Sequence, residues 1–436
     1  MDQFAYVTNY SGNNVSVINT GTNTVVATIP AGGAPISIAI TPNGQFAYMI
    51  NEASNNVSVI NTASNTVVGT ILVGNTPNGV AIVPTGSFVY VTNFSSNNVS
   101  VINTGTNTVV ATIPVGSGPI GVALTPIGTF AYVTNNSGAN VSVIHTGTNS
   151  VVATIPVGNN PFRIALTPNG QFAYVVNYNS NNVSVINTGT NTVLATVSVG
   201  SQPYGVTITP NGQFAYVTNS GSNNVSIINT GTNTVLATVS VGSNAHNLAM
   251  TPDGQFTYVT NTSSNNVSVI NTATNMVVAT IPVGSGPTDV AIISKSGPFE
   301  PTKNHATIVQ GTSVTVANNT AIPLATNAVL NGTDIIHDPE STVIILRPNH
   351  TYYVYYSVAG LGLIAQNFVT QLFLNGVGVV GSLSGAVSGL LGVGQQLTNT
   401  QAVIINTEVI SLLELRNISG GSRTVNYVTV TIIELL

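Results

Sequence analysis

The side chains able to do chemistry in this chain are few, and they fall in step. Tyr10, Glu52, Phe94 and Tyr178 each follow an asparagine at the same point of a 42-residue cycle. Phe162, Arg163, Tyr204, His246 and Asp289 fall at a second point, one or two residues after a proline or its stand-in Ala245. Aromatic rings can stack on a ligand, while guanidinium, imidazole and carboxylate groups supply directed hydrogen bonds. These nine residues are the candidate ligand-binding set. Catalysis has less to draw on. A glycosidase needs two carboxylates across a bond, and only Glu52 and Asp289 are available. A metal wants several imidazoles or carboxylates, and only His246 and Asp289 qualify here. No phosphate loop, nucleophile elbow or zinc-protease motif is present. With no cysteine, thiolate chemistry and disulfides are excluded. The expectation is therefore no catalytic residue, no metal and no cofactor.

The elements that must hold these residues repeat seven times. Tyr6, Tyr48, Tyr90, Tyr132, Tyr174, Tyr216 and Tyr258 open copies of a unit such as AYVTN-SGSNN-VSIINT-GTNT-VLATVSVG, with no insertion between copies. A fixed period of this length marks a solenoid, a propeller or an array. Within the unit, β-branched and aromatic runs alternate with polar residues, which is strand chemistry. Thr209-Pro210-Asn211-Gly212 is a turn, with proline presetting φ and glycine free to take φ > 0. Each unit thus holds four short antiparallel strands and no helix, and seven such sheets bury their faces by packing radially. The chain begins inside a repeat, and the missing first strand comes after the seventh, at 288–293. That strand is expected to close blade one and remove an open seam. Prolines 30, 114, 156 and 282 suit outermost strands, where no ladder donor is lost. The two variable points then lie on one end of the channel, either as a binding face or as loops that drift because nothing constrains them.

On the Tyr-Val-Thr-Asn motif in its seven copies, residues 1–294 resemble the YVTN-repeat β-propellers of bacterial and archaeal surface proteins. Blade two departs as Met49-Ile50 and blade five as Val176, neither of which threatens a strand.

Charged residues make up only 4% of the chain and the net charge is −5, so there is no basic footprint for nucleic acid. The uncharged stretch 376–394 is broken by Gly and Ser, which argues against a membrane span. The N-terminus shows no basic-then-apolar signal. Residues 295–304 (KSGPFEPTKN) form a linker, after which the period disappears. Strand-like runs continue through 305–436, punctuated by Pro348-Asn349, Asn375-Gly376 and Ser419-Gly420-Gly421. The runs PNHTY from Pro348, QLFLNG from Gln371 and the closing VTVTIIE resemble a C1q/TNF-like jelly roll, in the version that ends the collagen-like glycoproteins of the Bacillus exosporium. That resemblance implies a trimerisation domain and hence a homotrimer. Asp334, Asp338 and Glu340 are a weak calcium candidate.

The all-β, two-domain organisation and the sparse charge lead to one expectation. The protein is a non-enzymatic structural or adhesive component of a spore (exosporium) or cell surface, presenting three propeller faces with the avidity of a trimer. Its ligand would be a surface glycan or protein. The alternative is a propeller hydrolase or lyase acting on sugars or lactones at the channel mouth.

Overall fold

The structure, a computed structural model, describes residues 3–293 with their side chains and, beyond them, the backbone strands between His305 and Leu435. The chain divides into two compact units, Met1–Gly297 and Pro298–Leu436. The first is an all-β propeller of seven four-stranded antiparallel blades, as the repeat requires. In blade one the order from axis to rim is Pro287–Ser294, Gln3–Asn9, Asn14–Asn19 and Thr24–Pro30. The last strand of the repeat region pairs with the first, Tyr6 opposite Ala291 and Val7 opposite Val290.

The two middle strands of each blade are buried on both faces, because a neighbouring blade covers each side. Ala5, Tyr6, Val7, Thr8 and Asn9 are all 0% exposed. The alternation read from the sequence is therefore not an in-out pattern; both faces are core, and the polar Thr and Asn must be hydrogen-bonded. The apolar cores form between blades. Tyr6, Val15, Val17 and Ile29 of blade one pack with Ile38, Ala47, Met49 and Ile60 of blade two, and the grouping repeats around the ring.

A polar interlock accompanies each core. The Tyr6 hydroxyl donates to Asn65 Oδ1 of the next blade at 2.7 Å. Tyr48 and Asn107 repeat this at 2.7 Å, and Tyr174 and Asn233 at 2.8 Å. The last tyrosine, Tyr258, reaches Asn23 of blade one at 2.7 Å. The accepting asparagines sit in the left-handed region, Asn23 at φ 54° and Asn65 at φ 53°. Asparagine tolerates that conformation and brings an acceptor, whereas glycine would bring only the conformation. Tyr258→Phe removes one such bond where blade seven meets blade one. It is expected to cost about 1 kcal/mol, read as a lower denaturant midpoint with an unchanged slope.

In blades one to six each outer strand exposes two adjacent apolar residues, such as Val25 (38%) and Val26 (52%). There the register slips between Val17 and Ile18 of the neighbouring strand, and the same slip recurs in the other blades. Such a bulge twists an edge away from flat pairing.

In the second unit, backbone strands pair antiparallel in two sheets. His350–Leu361 lies between Arg423–Leu435 and Gln396–Thr407, and Ser411–Asn417 pairs with Asn367–Leu374. Residues 295–304 and Asp334, Asp338 and Glu340 fall outside the described residues.

Candidate functional site

Each inner strand begins with its register proline, or Ala245 in blade seven, opposite the YVTN asparagine, and the pairing then slips. In blade five Pro161 faces Asn177, and pairing resumes at Ile164 opposite Val175. In blades three to seven the residues skipped by the slip are the variable pair, released from the ladder at the channel; in blades one and two only Thr288 and Ile36 are skipped, and Asp289 and Ser37 stay paired with Thr8 and Ile50. The second member of the pair makes one ring around the axis: Ser37, Gly79, Gly121, Arg163, Gly205, Asn247 and Asp289. Ser37, Arg163, Asn247 and Asp289 line a cavity of about 160 Å³, floored by one aliphatic side chain from each inner strand, Ile38 round to Val290. That volume corresponds to roughly five waters at ~30 Å³ each, so the throat admits a small ring or side group.

Phe162, Arg163, Tyr204, His246 and Asp289 were expected on loops. They are strand residues, in Pro161–Leu166, Pro203–Ile208, Ala245–Met250 and Pro287–Ser294. Arg163 is 8% exposed and Asp289 4%. Tyr10, Glu52, Phe94 and Tyr178 begin the next turn outward. Their backbone amides bond the loops that lead into the inner strands, as Tyr10 N to Gly286 O and Tyr178 N to Asn160 O. Both variable points therefore meet at one end of the propeller. Tyr10 pairs with Glu52, whose hydrogen bond raises the phenol above its usual range. Phe94 covers Gly118, where an added Cβ would fall 2.9 Å from its ring.

The aromatics are used on one another. Tyr178 and Phe162 have centroids 4.9 Å apart, Phe162 and Tyr204 4.7 Å, and Tyr204 and His246 3.6 Å in a stacked pair. They make a wall along blades five to seven and leave few ring faces for a ligand. Burial, with help from the Arg163 cation, pushes His246 down to about 3. Burial pushes Tyr204 up to about 12, against the opposing pull of Arg163. The wall is thus neutral at physiological pH.

The depressed imidazole has a consequence for stability. The unfolded chain takes up a proton near the ordinary 6.5, and the folded chain does so only near 3. Between these values the unfolded state binds more protons, so stability falls as pH drops from about 6.5 toward 3. His246→Ile places there the residue of blades two and four. Its melting temperature should fall less between pH 7 and pH 4 than the wild type's.

The two charges in the throat are held differently. Asp289 accepts from Ser37 Oγ (2.7 Å), Ile38 N (3.0 Å), Asn247 Nδ2 (2.5 Å) and Val290 N (2.8 Å). Four donors fill the lone pairs of a carboxylate. Its partners belong to blades one, two and seven, and His246, expected as its neighbour, is not among them. Arg163 has no hydrogen bond and no ion pair among the described residues, and its Nε is buried without a partner. Gly79 leaves room for its guanidinium, since an added Cβ there would fall 3.2 Å from Nη1, while Gly121 leaves room for the next strand's backbone, its Cβ falling 2.5 Å from Phe162 O.

Sequence comparison overlooked Ser37 and Asn247, though both occupy the same slot as Arg163 and Asp289. It also overlooked the YVTN threonine. Thr134 accepts from Gly121 N (2.7 Å) and donates to Phe162 O of the next blade (2.5 Å). Ile50 and Val176 keep their strands but give up this bridge. Among the described residues no group of three His, Asp or Glu could hold a metal.

The profile of the family described as "Lactonase, 7-bladed beta-propeller" matches residues 18–152 and 148–281, more than half of the chain. No curated protein matches. Among solved structures, a 6-phosphogluconolactonase candidate from Bacteroides uniformis is 19% identical, covering 67% of this chain and 100% of its own, with a TM-score of 0.59. The Kuenenia stuttgartiensis hydrazine synthase is 22% identical over 60% of this chain and 96% of its own, at 0.55. A functionally unknown protein from Desulfotomaculum acetoxidans is 20% identical over 66% and 98%, at 0.59. At these identities the structures speak for the fold alone. The family match overturns the expectation of a non-enzymatic adhesive protein. That expectation took the mouth charges for a shallow recognition face with too few groups for chemistry, whereas Arg163 and Asp289 are buried in the throat.

Proposed function

From the chain's membership of the lactonase family of seven-bladed β-propellers, we propose that its throat opens the ring of a small lactone by hydrolysis. One observation carries this: a guanidinium, 8% exposed, faces the cavity with no partner of its own. A buried guanidinium N–H without an acceptor is costly, and the acceptor it lacks must come from what binds. A lactone carbonyl answers that need best in the transition state, when its oxygen becomes an oxyanion.

In the reaction a water oxygen bonds to the carbonyl carbon and Arg163 stabilises the oxyanion. The ring C–O bond then breaks, and the proton given up by the water ends on the freed hydroxyl, yielding a hydroxy acid. Asp289, with its lone pairs filled, acts as a fixed counter-charge that keeps the throat in shape. Neutral His246, at the end of the wall, is an acceptor, but a base held at about 3 contributes little at neutral pH. The electrophile therefore carries most of the rate. The full chain should be incubated with a panel of five- and six-membered lactones while acid release is followed by pH-stat. Turnover above the buffer rate is expected for the small rings, and its absence across the panel would overturn the reading.

We also propose that the second unit is a jelly roll that holds the chain as a homotrimer through residues 305–436. Its two antiparallel sheets and the motif resemblance support this. Light scattering on the full chain tests it, and a monomer at micromolar concentration would count against it.

A further inference from the structure

Asn247 lines the throat with one end of its amide tied and the other end open. It belongs to the ring that carries Arg163 and Asp289, and all three line the same cavity. Its main chain is fixed. Asn247 N donates to Thr260 Oγ1 at 3.0 Å, and that hydroxyl lies 3.0 Å from Asn247 O. Its Nδ2 donates to Asp289 Oδ1 at 2.5 Å. A carboxylate only accepts, so it dictates which end of the amide it meets. The oxygen end is thereby turned the other way. There it lies over Gly205, where an added Cβ would fall 2.6 Å from Oδ1. Gly205 is the ring member between Asn247 and Arg163, so the open acceptor stands on the Arg163 side. Among the described residues no group donates to it.

Ring opening by water needs more than an electrophile. The water must present a lone pair to the carbonyl carbon, so one of its hydrogens has to be held by an acceptor beside that carbon. Asp289 is spent on four donors. Ser37 Oγ, in a residue 4% exposed, is turned into the same carboxylate. We propose that Asn247 Oδ1 holds the attacking water, and that Asp289 acts through it as a positioning residue by fixing the sense of the amide. This rests on the lactone reading above and supplies the residue on the nucleophile's side. The water donates one hydrogen to Oδ1, and its oxygen bonds to the carbonyl carbon. The carbonyl electron pair moves onto the oxygen facing Arg163. On collapse the ring C–O bond breaks, and the water's other proton passes to the departing ring oxygen. The amide itself gains and loses no proton.

The test is the competition of water with added methanol for the ring, run on the full chain with the best lactone of the panel. Initial rates of hydroxy acid and methyl ester, corrected for the buffer reaction, give a ratio. The wild type is expected to favour water at least about tenfold more than buffer does. Asn247→Gly takes the residue already at Gly79, Gly121 and Gly205 in the ring. It should lower kcat at least about tenfold, leave KM unchanged and return the ratio toward that of buffer. Loss of folded protein lowers both products alike and does not move the ratio. Asp289→Asn keeps the throat's volume but no longer dictates the amide, and should shift the ratio the same way; it decides if Asn247→Gly does not fold. A wild-type ratio equal to buffer's, or an unmoved ratio in either folded variant, would overturn the proposal. Failure of the lactone reading looks different: the wild type then forms neither product, and both readings fall.

Discussion

Arg163→Gly should lower kcat/KM for lactones by at least about 100-fold while leaving the melting temperature unchanged or slightly raised. Three blades already carry glycine in this slot, Gly79, Gly121 and Gly205, so the backbone accepts it. The wild-type guanidinium buries its Nε without a partner, which costs about 1–3 kcal/mol, and its removal relieves that penalty. Activity and stability are thus expected to part company, as they do where a site is kept strained for function. Kinetics with the best lactone and a melt of the same preparation check both halves. Retained turnover would remove Arg163 from the chemistry. A large fall in melting temperature would make it a structural residue.

Asp289→Ala should do the reverse. Removing the carboxylate strands Ser37 Oγ, Ile38 N, Asn247 Nδ2 and Val290 N, four donors from three blades. Breaking one partner of a buried charged network costs about 3–5 kcal/mol. The loss falls at the junction where Pro287–Ser294 completes blade one, so a lower denaturant midpoint is expected, with a broader transition if the ring opens. Asp289→Asn keeps the shape but turns an amide NH2 toward a backbone donor, and should lie between wild type and alanine. A variant as stable as wild type would show that the strand pairing alone holds the seam.

The propeller was legible because its evidence is local. Tyr, Thr-Pro-Asn-Gly and the valine runs each specify a strand or a turn within a few residues, and the period supplies the count. The throat was not, because its contacts run between blades. Arg163 meets Gly79 two inner strands away, and Asp289 meets Ser37 across 252 residues of chain. Nothing in the neighbourhood of Arg163 announces that the next variable slots are empty enough to admit it. The pairing slip after each register proline was equally hidden. It turns what look like loop positions at the channel mouth into strand residues inside it, and that is why the charges were read as a shallow platform. The aromatics were found, but their stacking on one another depends on the pitch between inner strands, which no single repeat encodes.

The tyrosine–asparagine interlock also bears on how such a chain can change over time. A tyrosine altered in one blade strands an asparagine 59 residues on, and that asparagine's own blade presents a tyrosine to the next. Because Tyr258 is answered by Asn23, these dependencies form a loop with no free end. No copy can diverge at the interlock without a matching change in its neighbour, so the frame is held uniform by its own geometry. The slots released by the slip carry no such obligation. They are where one scaffold can acquire a new ligand one residue at a time, while the seven blades around them stay alike.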